Sequence, residues 1–193
     1  MLQDHAHITT DLDGEALSER VLRHARFEGV RFSSCVLSRA SWLQCELEDC
    51  QFVDCQLDGL SFAHSTLNGV RFERCRLMGV DFSAADQLLI EIEFDHCLMD
   101  HTRFASMALK RLVFQACRLK EADFRDSKLE RARFPDCELE GAKFSGADLS
   151  YTDFRTATGL AFVPDRVKLK KTQIELEAML TLAVKMGLKV SLG

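Results

Sequence analysis

Residues 114–154 read FQACR LKEAD FRDSK LERAR FPDCE LEGAK FSGAD LSYTD F, and a large apolar residue opens every group of five. The beat starts at Phe94, passes Met99, Phe104 and Leu109, and runs to Phe154 without a miss. An earlier run carries it from Phe27 and Phe32 through Trp42, Leu57 and Phe72 to Phe82. A helix of period 3.6 or a strand of period 2 would throw successive apolar residues out of phase. A fixed short repeat marks a solenoid, whose units bury an apolar side only by stacking on one another.

Two residues before each large one lies a second, mostly small position, and all eight cysteines occupy it. Six of them, Cys35, Cys55, Cys75, Cys97, Cys117 and Cys137, are spaced 20, 20, 22, 20 and 20 residues apart. The 20-residue harmonic of a five-residue unit implies four units per coil. Two residues after a large one comes a turn position. Seven of the ten glycines (Gly14, Gly29, Gly59, Gly69, Gly79, Gly141, Gly146) stand there. Glycine suits the positive φ that the second central residue of a type II turn requires. Pro135 fits the first central position, where its fixed φ is preset.

On these residues the chain resembles the pentapeptide-repeat proteins, whose unit A-(D/N)-L-x-x is matched by Ala122-Asp123-Phe124, Ala147-Asp148-Leu149 and Cys55-Gln56-Leu57. The resemblance covers roughly residues 25 to 158. It implies an all-β solenoid, a right-handed quadrilateral β-helix of pentapeptide repeats, here with a C-terminal α-helical dimerisation cap.

Walking round such a coil stacks Phe32, Phe52, Phe72, Phe94, Phe114, Phe134 and Phe154 on one face, and Trp42, Phe62, Phe82, Phe104, Phe124 and Phe144 on the opposite one. Leucine dominates the other two. The 12-residue step from Phe82 to Phe94 is two units plus two residues, so a bulge within 86–93 leaves the faces in register. The expected organisation is an N-terminal segment and imperfect first coil over 1–24, a β-helix over 25–158, and a capping and dimerisation module over 159–193. Residues 1–10 carry no pattern. Leu12, Leu17 and Leu22 keep the beat with unsuitable neighbours, and a short amphipathic helix over Glu15 to His24 is the competing reading. At the far end Thr172-Gln173-Ile174-Glu175 matches a capping box. Ile174, Leu176, Met179, Leu180, Ala183 and Val184 follow at largely helical spacing until Gly187, and Leu188 to Leu192 forms an apolar tail. The helix covers the open end of the solenoid. Because Leu176 and Leu182 fall off its main stripe, apolar surface stays outside, and pairing with a second copy is expected.

No apolar run reaches the length of a membrane span and no signal peptide precedes the repeats, so the expected location is cytoplasmic, away from membrane. The thiols then read as small buried hydrophobes. A metal on Cys45, Cys50 and Cys55 is the competing reading, but the repeat explains all three positions, and no cofactor is expected. His96 and His101 stand at turn positions facing solvent. No catalytic constellation stands apart from the repeat, so an enzyme is not expected. A net charge of −5 argues against direct nucleic-acid binding through a basic stripe. Seven coils at a rise of about 4.8 Å give a rod of roughly 34 Å, and two joined end to end reach about 70 Å, the length of some 20 base pairs and a size suited to occupying a DNA-binding groove.

A narrower resemblance concerns Asp148 to Phe154, Gly159-Leu160, Val167-Lys168-Leu169 and the closing helix, with Ile90-Glu91-Ile92 at the bulge. These are similar to gyrase-protecting pentapeptide proteins of the Qnr, mycobacterial fluoroquinolone-resistance and microcin-immunity types. That likeness implies a homodimer that mimics duplex DNA, binds DNA gyrase or topoisomerase IV, and confers resistance or immunity to a gyrase-directed antibiotic or toxin. It lacks the projecting loops of the Qnr type. The first candidates for partner contact are Asp136, Glu138, Glu140, Asp148 and Asp153. The alternative is a non-enzymatic interaction scaffold with a different protein partner.

Overall fold

The computed structural model describes residues 2–88, 90–163, 166–185 and 187. The chain winds through about eight stacked coils, each with four sides, and all strand pairing is parallel. Side 1 stacks Leu12–Asp13, Arg31–Ser33, Gln51–Val53, Val70–Glu73, Ile92–Asp95 and Phe114–Gln115 as one six-stranded sheet. Side 2 is a run of bridges from Ala16 through Val36, Gln56, Arg76, Leu98, Arg118 and Glu138 to Thr158. Side 3 pairs Val21–Arg23 with Ser41–Leu43 and later bridges Asp81, Arg103, Asp123 and Lys143. Side 4 stacks His7–Ile8, Arg26–Glu28, Glu46–Glu48 and Thr66–Asn68, then bridges Ala108, Lys128, Asp148 and Lys168.

The large residues point inward. Rings on side 1 stack nearly parallel on the ring one coil away, Phe94 on Phe114 at 5.4 Å and Phe114 on Phe134 at 4.9 Å. Side 3 does the same, with Phe104 at 5.0 Å from Phe82 and 5.1 Å from Phe124. Between the two sides the rings meet edge to face, as Phe104 meets Phe94 at 5.8 Å and 79°. Both geometries suit the aromatic quadrupole. The expected opposite columns of aromatics are therefore in contact through the middle of the coil.

The backbone turns with positive φ at every fifth residue from Gly14 to Gly79 and from His96 to Tyr151. Many of these corners close with a hydrogen bond three residues apart, such as Leu60 N–H to the Leu57 carbonyl at 3.0 Å around Gly59 (φ 62°). The corners preceding cysteines lack that bond among the described residues. There the thiol donates to carbonyls instead, Cys55 Sγ to Phe32 one coil below and to Val53, each at 3.3 Å. At Cys45 the Ser65 hydroxyl adds a bridge, accepting from Cys45 N–H and donating to the Trp42 carbonyl, both at 2.9 Å. Glycine is required at 159. Its φ is +70° and a Cβ there would stand 2.8 Å from the backbone nitrogen of Glu140.

The aspartate of the repeat unit has a local task. Asp123 Oδ1 accepts from the backbone N–H of Arg125 at 3.1 Å, and the Arg125 guanidinium closes on the same carboxylate at 2.8 and 2.6 Å. Asp81, Asp148 and Asp153 receive the N–H two residues on in the same way. Such side-chain acceptors reinforce a turn that the backbone also closes, as Ser127 N–H does on the Phe124 carbonyl at 3.3 Å.

The 22-residue step pairs Val70 with Ile92 and Phe72 with Phe94, so side 1 passes the bulge in register. Side 4 absorbs the extra length: its strands stop at Asn68 and its bridges resume at Ala108. A single 3-10 turn, Phe82–Ala84, leads into the bulge.

Both ends differ from the sequence expectation. Residues near the N-terminus are already in the coil, since His7–Ile8 pairs with Arg26 and Phe27, and His5 stacks on His24 at 4.9 Å. Leu17 and Leu22 are buried and Val21–Arg23 is a strand, so the competing helix over Glu15 to His24 does not form. At the other end the helix spans Leu176–Lys185. The expected capping box is not used: Gln173–Ile174 still pairs with Asp153–Phe154, which keeps the chain extended past Thr172. Thr172 Oγ1 donates to the Leu149 carbonyl at 2.7 Å, and the Glu175 carboxylate caps Glu177 N–H at 2.8 Å. Leu182 is buried, contrary to its expected outward position, because this start turns Ala178 and Leu182 toward the last coil. The expected tail over Leu188 to Leu192 lies outside the described residues.

Replacing Phe104 by Ala removes contacts with four rings at once, and denaturant unfolding is expected to show a loss of about 3–5 kcal/mol. A second expectation concerns acid. The Arg125 guanidinium beside Asp123 holds its carboxyl below the ordinary 3.8. The contribution of Asp123 is thus complete above the ordinary value and is lost as pH falls through the lower, folded one. Thermal melts from neutral to strongly acidic pH are expected to show a steeper decline for the native chain than for Asp123→Asn, which keeps the N–H acceptor without the titration.

Candidate partner-binding surface

With the inward positions filled by apolar side chains, recognition falls to the residues between them, three per five-residue unit. The 20-residue register sets charges of neighbouring coils over one another, and many are of opposite sign. Arg74 reaches Asp54 at 2.8 Å, Lys110 reaches Glu130 at 2.5 Å, and Arg118 reaches Asp100 at 2.7 Å. These are the sheet equivalent of cross-strand pairs. At the exposed pairs each contributes about 0–1 kcal/mol, so their main effect is on the field outside the rod.

The five candidate acids do not gather on one face. Asp136 lies at the corner of sides 1 and 2, Glu138 and Glu140 on side 2, Asp148 on side 4 and Asp153 on side 1. Four of them are engaged within the chain. Lys120 Nζ holds Glu138 at 3.1 Å and Glu140 at 2.6 Å. Lys168 holds Asp148 at 2.5 Å, and Arg155 holds Asp153 at 2.7 Å. Burial pushes the Asp148 carboxyl up, but its bonds from Lys168 and Ser150 outweigh this and bring it below the ordinary value. The Arg155 guanidinium lowers Asp153 in the same way. Asp148 and Asp153 also hold their own corners. Asp136 alone of the five has no ion pair among the described residues.

At the helix, Leu176, Met179 and Val184 are 58%, 51% and 64% exposed, while Leu180, Ala183 and Ile174 are half-buried. A groove of about 530 Å³ separates Glu177, Ala178 and Thr181 from the segment running Thr156 to Ala161. A second groove of about 430 Å³ opens at the bulge between Ile90, Glu93, Lys110 and Leu112. The helix thus offers apolar side chains beyond the end of the solenoid.

The cysteine thiols donate to backbone carbonyls. Cys45, Cys50 and Cys55 occupy three successive corners and donate to Leu22, Phe27 and Phe32. Burial pushes the Cys50 thiol up to about 11. Among the described residues no three His, Cys, Asp or Glu side chains are grouped to hold a metal ion. His96 and His101 stand at positive-φ corners, and the His96 ring is exposed beside Asp95 at 2.7 Å. Among the described residues no helix is long and apolar enough to cross a membrane.

Sequence reading missed a segregation of charge along side 4. Its early coils carry Glu28, Glu46, Glu48 and Asp49 against Arg26, and its late coils carry Lys110, Arg111, Lys128, Arg131, Lys168, Lys170 and Lys171 against Glu130 and Asp148. Tyr151 lies between two of these cations, with Arg131 at 5.6 Å and Lys170 at 5.8 Å from its ring centre. Writing the sequence in rows of twenty would have exposed the pattern, which the net charge conceals.

The chain is similar to several solved structures. Trypsin-treated QnrB1, a plasmid-mediated fluoroquinolone resistance protein, is 19% identical over 96% of this chain and 100% of that chain, with a TM-score of 0.50. HetL, a pentapeptide repeat protein involved in heterocyst differentiation regulation from the cyanobacterium Nostoc sp. strain PCC 7120, is 18% identical over 90% of this chain and 88% of its own, with a TM-score of 0.32. No curated protein matches. The family profile described as Pentapeptide repeat region matches residues 25–92 and 89–161. With the stacked coils, the inward five-residue beat and this match, the chain belongs to the pentapeptide repeat family.

Proposed function

We propose that this protein is a non-enzymatic DNA mimic, a right-handed quadrilateral rod that pairs with a second copy through its C-terminal helix and binds DNA gyrase or topoisomerase IV in the cytoplasm. Binding would protect the enzyme against a gyrase-directed antibiotic or toxin. The carrying observation is the exposed trio Leu176, Met179 and Val184 on a helix set beyond the last coil. It offers a way to join two acidic rods of roughly 34 Å into one of about 70 Å, the length of some 20 base pairs. The fold shared with QnrB1, whose name records fluoroquinolone resistance, supports the same reading.

The pairing of acids alters which residues carry the mimicry. Among the described residues Asp136 is the one candidate acid without an ion-pair partner, while Asp148 and Asp153 contribute mainly to their corners. A scaffold with another protein partner is favoured by one observation, the basic end of side 4, since a phosphate mimic has no use for it.

With purified gyrase, the protein is expected to inhibit supercoiling or to relieve quinolone inhibition at micromolar concentration. Absence of both effects would remove the reading. In the same assay Asp136→Lys is expected to weaken the effect about tenfold, and an unchanged dose response would argue against mimicry at that corner. Light scattering tests the joint: Leu176→Asp with Met179→Asp is expected to halve the solution mass while the coil signature in circular dichroism stays intact. A scaffold would be recognised by reproducible recovery of one other protein on the native chain and its loss on Lys128→Glu with Arg131→Glu.

A further inference from the structure

The two ends of side 4 bear opposite charge, and ion pairs within the chain leave that polarity standing. Lys110 is taken by Glu130 and Lys168 by Asp148. Arg111, Lys128, Arg131, Lys170 and Lys171 remain exposed with no ion pair among the described residues. At the other end Arg26 is shared by Glu28, Glu46 and Glu48, which leaves the four acids there in excess of one cation, with Asp49 unpaired among the described residues. Midway between these ends Leu88 is 87% exposed, beside the groove lined by Ile90, Leu112 and Val113.

A surface that is acidic at one end, basic at the other and apolar in the middle is complementary to itself when turned end for end. A two-fold contact brings each patch onto its counterpart and places the middle on the axis. We infer that side 4 is a docking face for a second copy of this chain, laid antiparallel so that Glu46, Glu48 and Asp49 of one copy meet Lys128, Arg131 and Lys170 of the other. Leu88 of each copy then lies near the axis, where the partner's groove opens.

Duplex DNA fits the face less well. A duplex lying along the rod would gain the cations but would run its phosphates over Glu46, Glu48 and Asp49, and the whole chain carries −5. Size sets the strength. A side about 10–15 Å wide and roughly 34 Å long buries about 700–1,000 Å² in total, the range of weak interfaces. The association is therefore weak and governed by salt. It uses a different surface from the helix, whose apolar contact is insensitive to salt.

Sedimentation velocity on the full chain tests this, with two triple variants: Glu46→Lys, Glu48→Lys and Asp49→Lys in one, Lys128→Glu, Arg131→Glu and Lys170→Glu in the other. Native protein is expected to show a concentration-dependent association step at about 0.1 M salt that vanishes near 1 M, where the Debye length falls to about 3 Å. Each triple variant alone is expected to lose at least about tenfold in affinity for that step, because the two ends of side 4 then no longer differ in net sign. An equimolar mixture of the two is expected to regain it. Persistence of the step in either variant overturns the inference, as does a mixture that stays apart. A native chain that binds a labelled 20-base-pair duplex through the same lysines without associating also overturns it, in favour of nucleic acid. Loss of a salt-insensitive dimer in the Leu176→Asp and Met179→Asp variant bears on the helix alone.

Discussion

The structure depends on one constraint: the chain returns to the same side after twenty residues, so every backbone group of a side meets its counterpart one coil away. Parallel strands are ordinarily joined by long crossovers. Here the crossover is the remaining three sides of the coil, and each of those is itself a ladder. Like therefore stacks on like. Phenylalanine falls on phenylalanine along sides 1 and 3, and cysteine falls on cysteine along side 2, because identity at a stride of twenty is what the register demands. The apolar interior is then a column with no centre, and each coil is covered only by its two neighbours.

Much of this was legible in the sequence because the side-chain signal is redundant. The inward beat repeats in every unit, so Phe52 under Phe72 and Phe94 over Phe72 follow from counting. The bulge was legible for the same reason, since a 22-residue cysteine step can only be an insertion of two. The outer surface was not. Its residues answer to no beat, and whether Glu138 faces solvent or Lys120 depends on a coil 18 residues away. The start of the helix was misread through a related cause. Thr172 looks like a cap in isolation, but it stands twenty residues after Thr152, and both hydroxyls donate to the leucine carbonyl 23 residues back, Leu149 and Leu129. Tertiary stacking claimed the side chain before the helix could.

The thiols illustrate how a chemically suggestive residue can be purely architectural. A corner without its three-residue backbone bond leaves carbonyls to satisfy in a buried place, where an unmet acceptor costs about 1–3 kcal/mol. Cysteine is small enough for the inward position and carries a weak donor. Serine does the same work once, at Ser65, with shorter bonds. Charge on the outside obeys a parallel logic. Opposite signs over one another hold the coils, and where the pairing runs out, as at Asp136 and the two ends of side 4, field is left for a partner.

The left-handed corners carry a further implication. Most are not glycine: Arg39, Gln44, Arg111, Glu121 and Tyr151 all hold φ between 54° and 64°. Each such residue costs about 1–2 kcal/mol relative to an ordinary conformation. A lone coil would have to meet that cost at up to four corners with no neighbour to cover it, and so would open. Order can spread only from a pair of coils already in contact, and once started it gains with each coil added. The rod is in this sense a linear chain of two-state units with an unfavourable first step, which favours long unbroken runs over fragments and makes its two ends, capped by His7–Ile8 and the C-terminal helix, the places where unwinding begins.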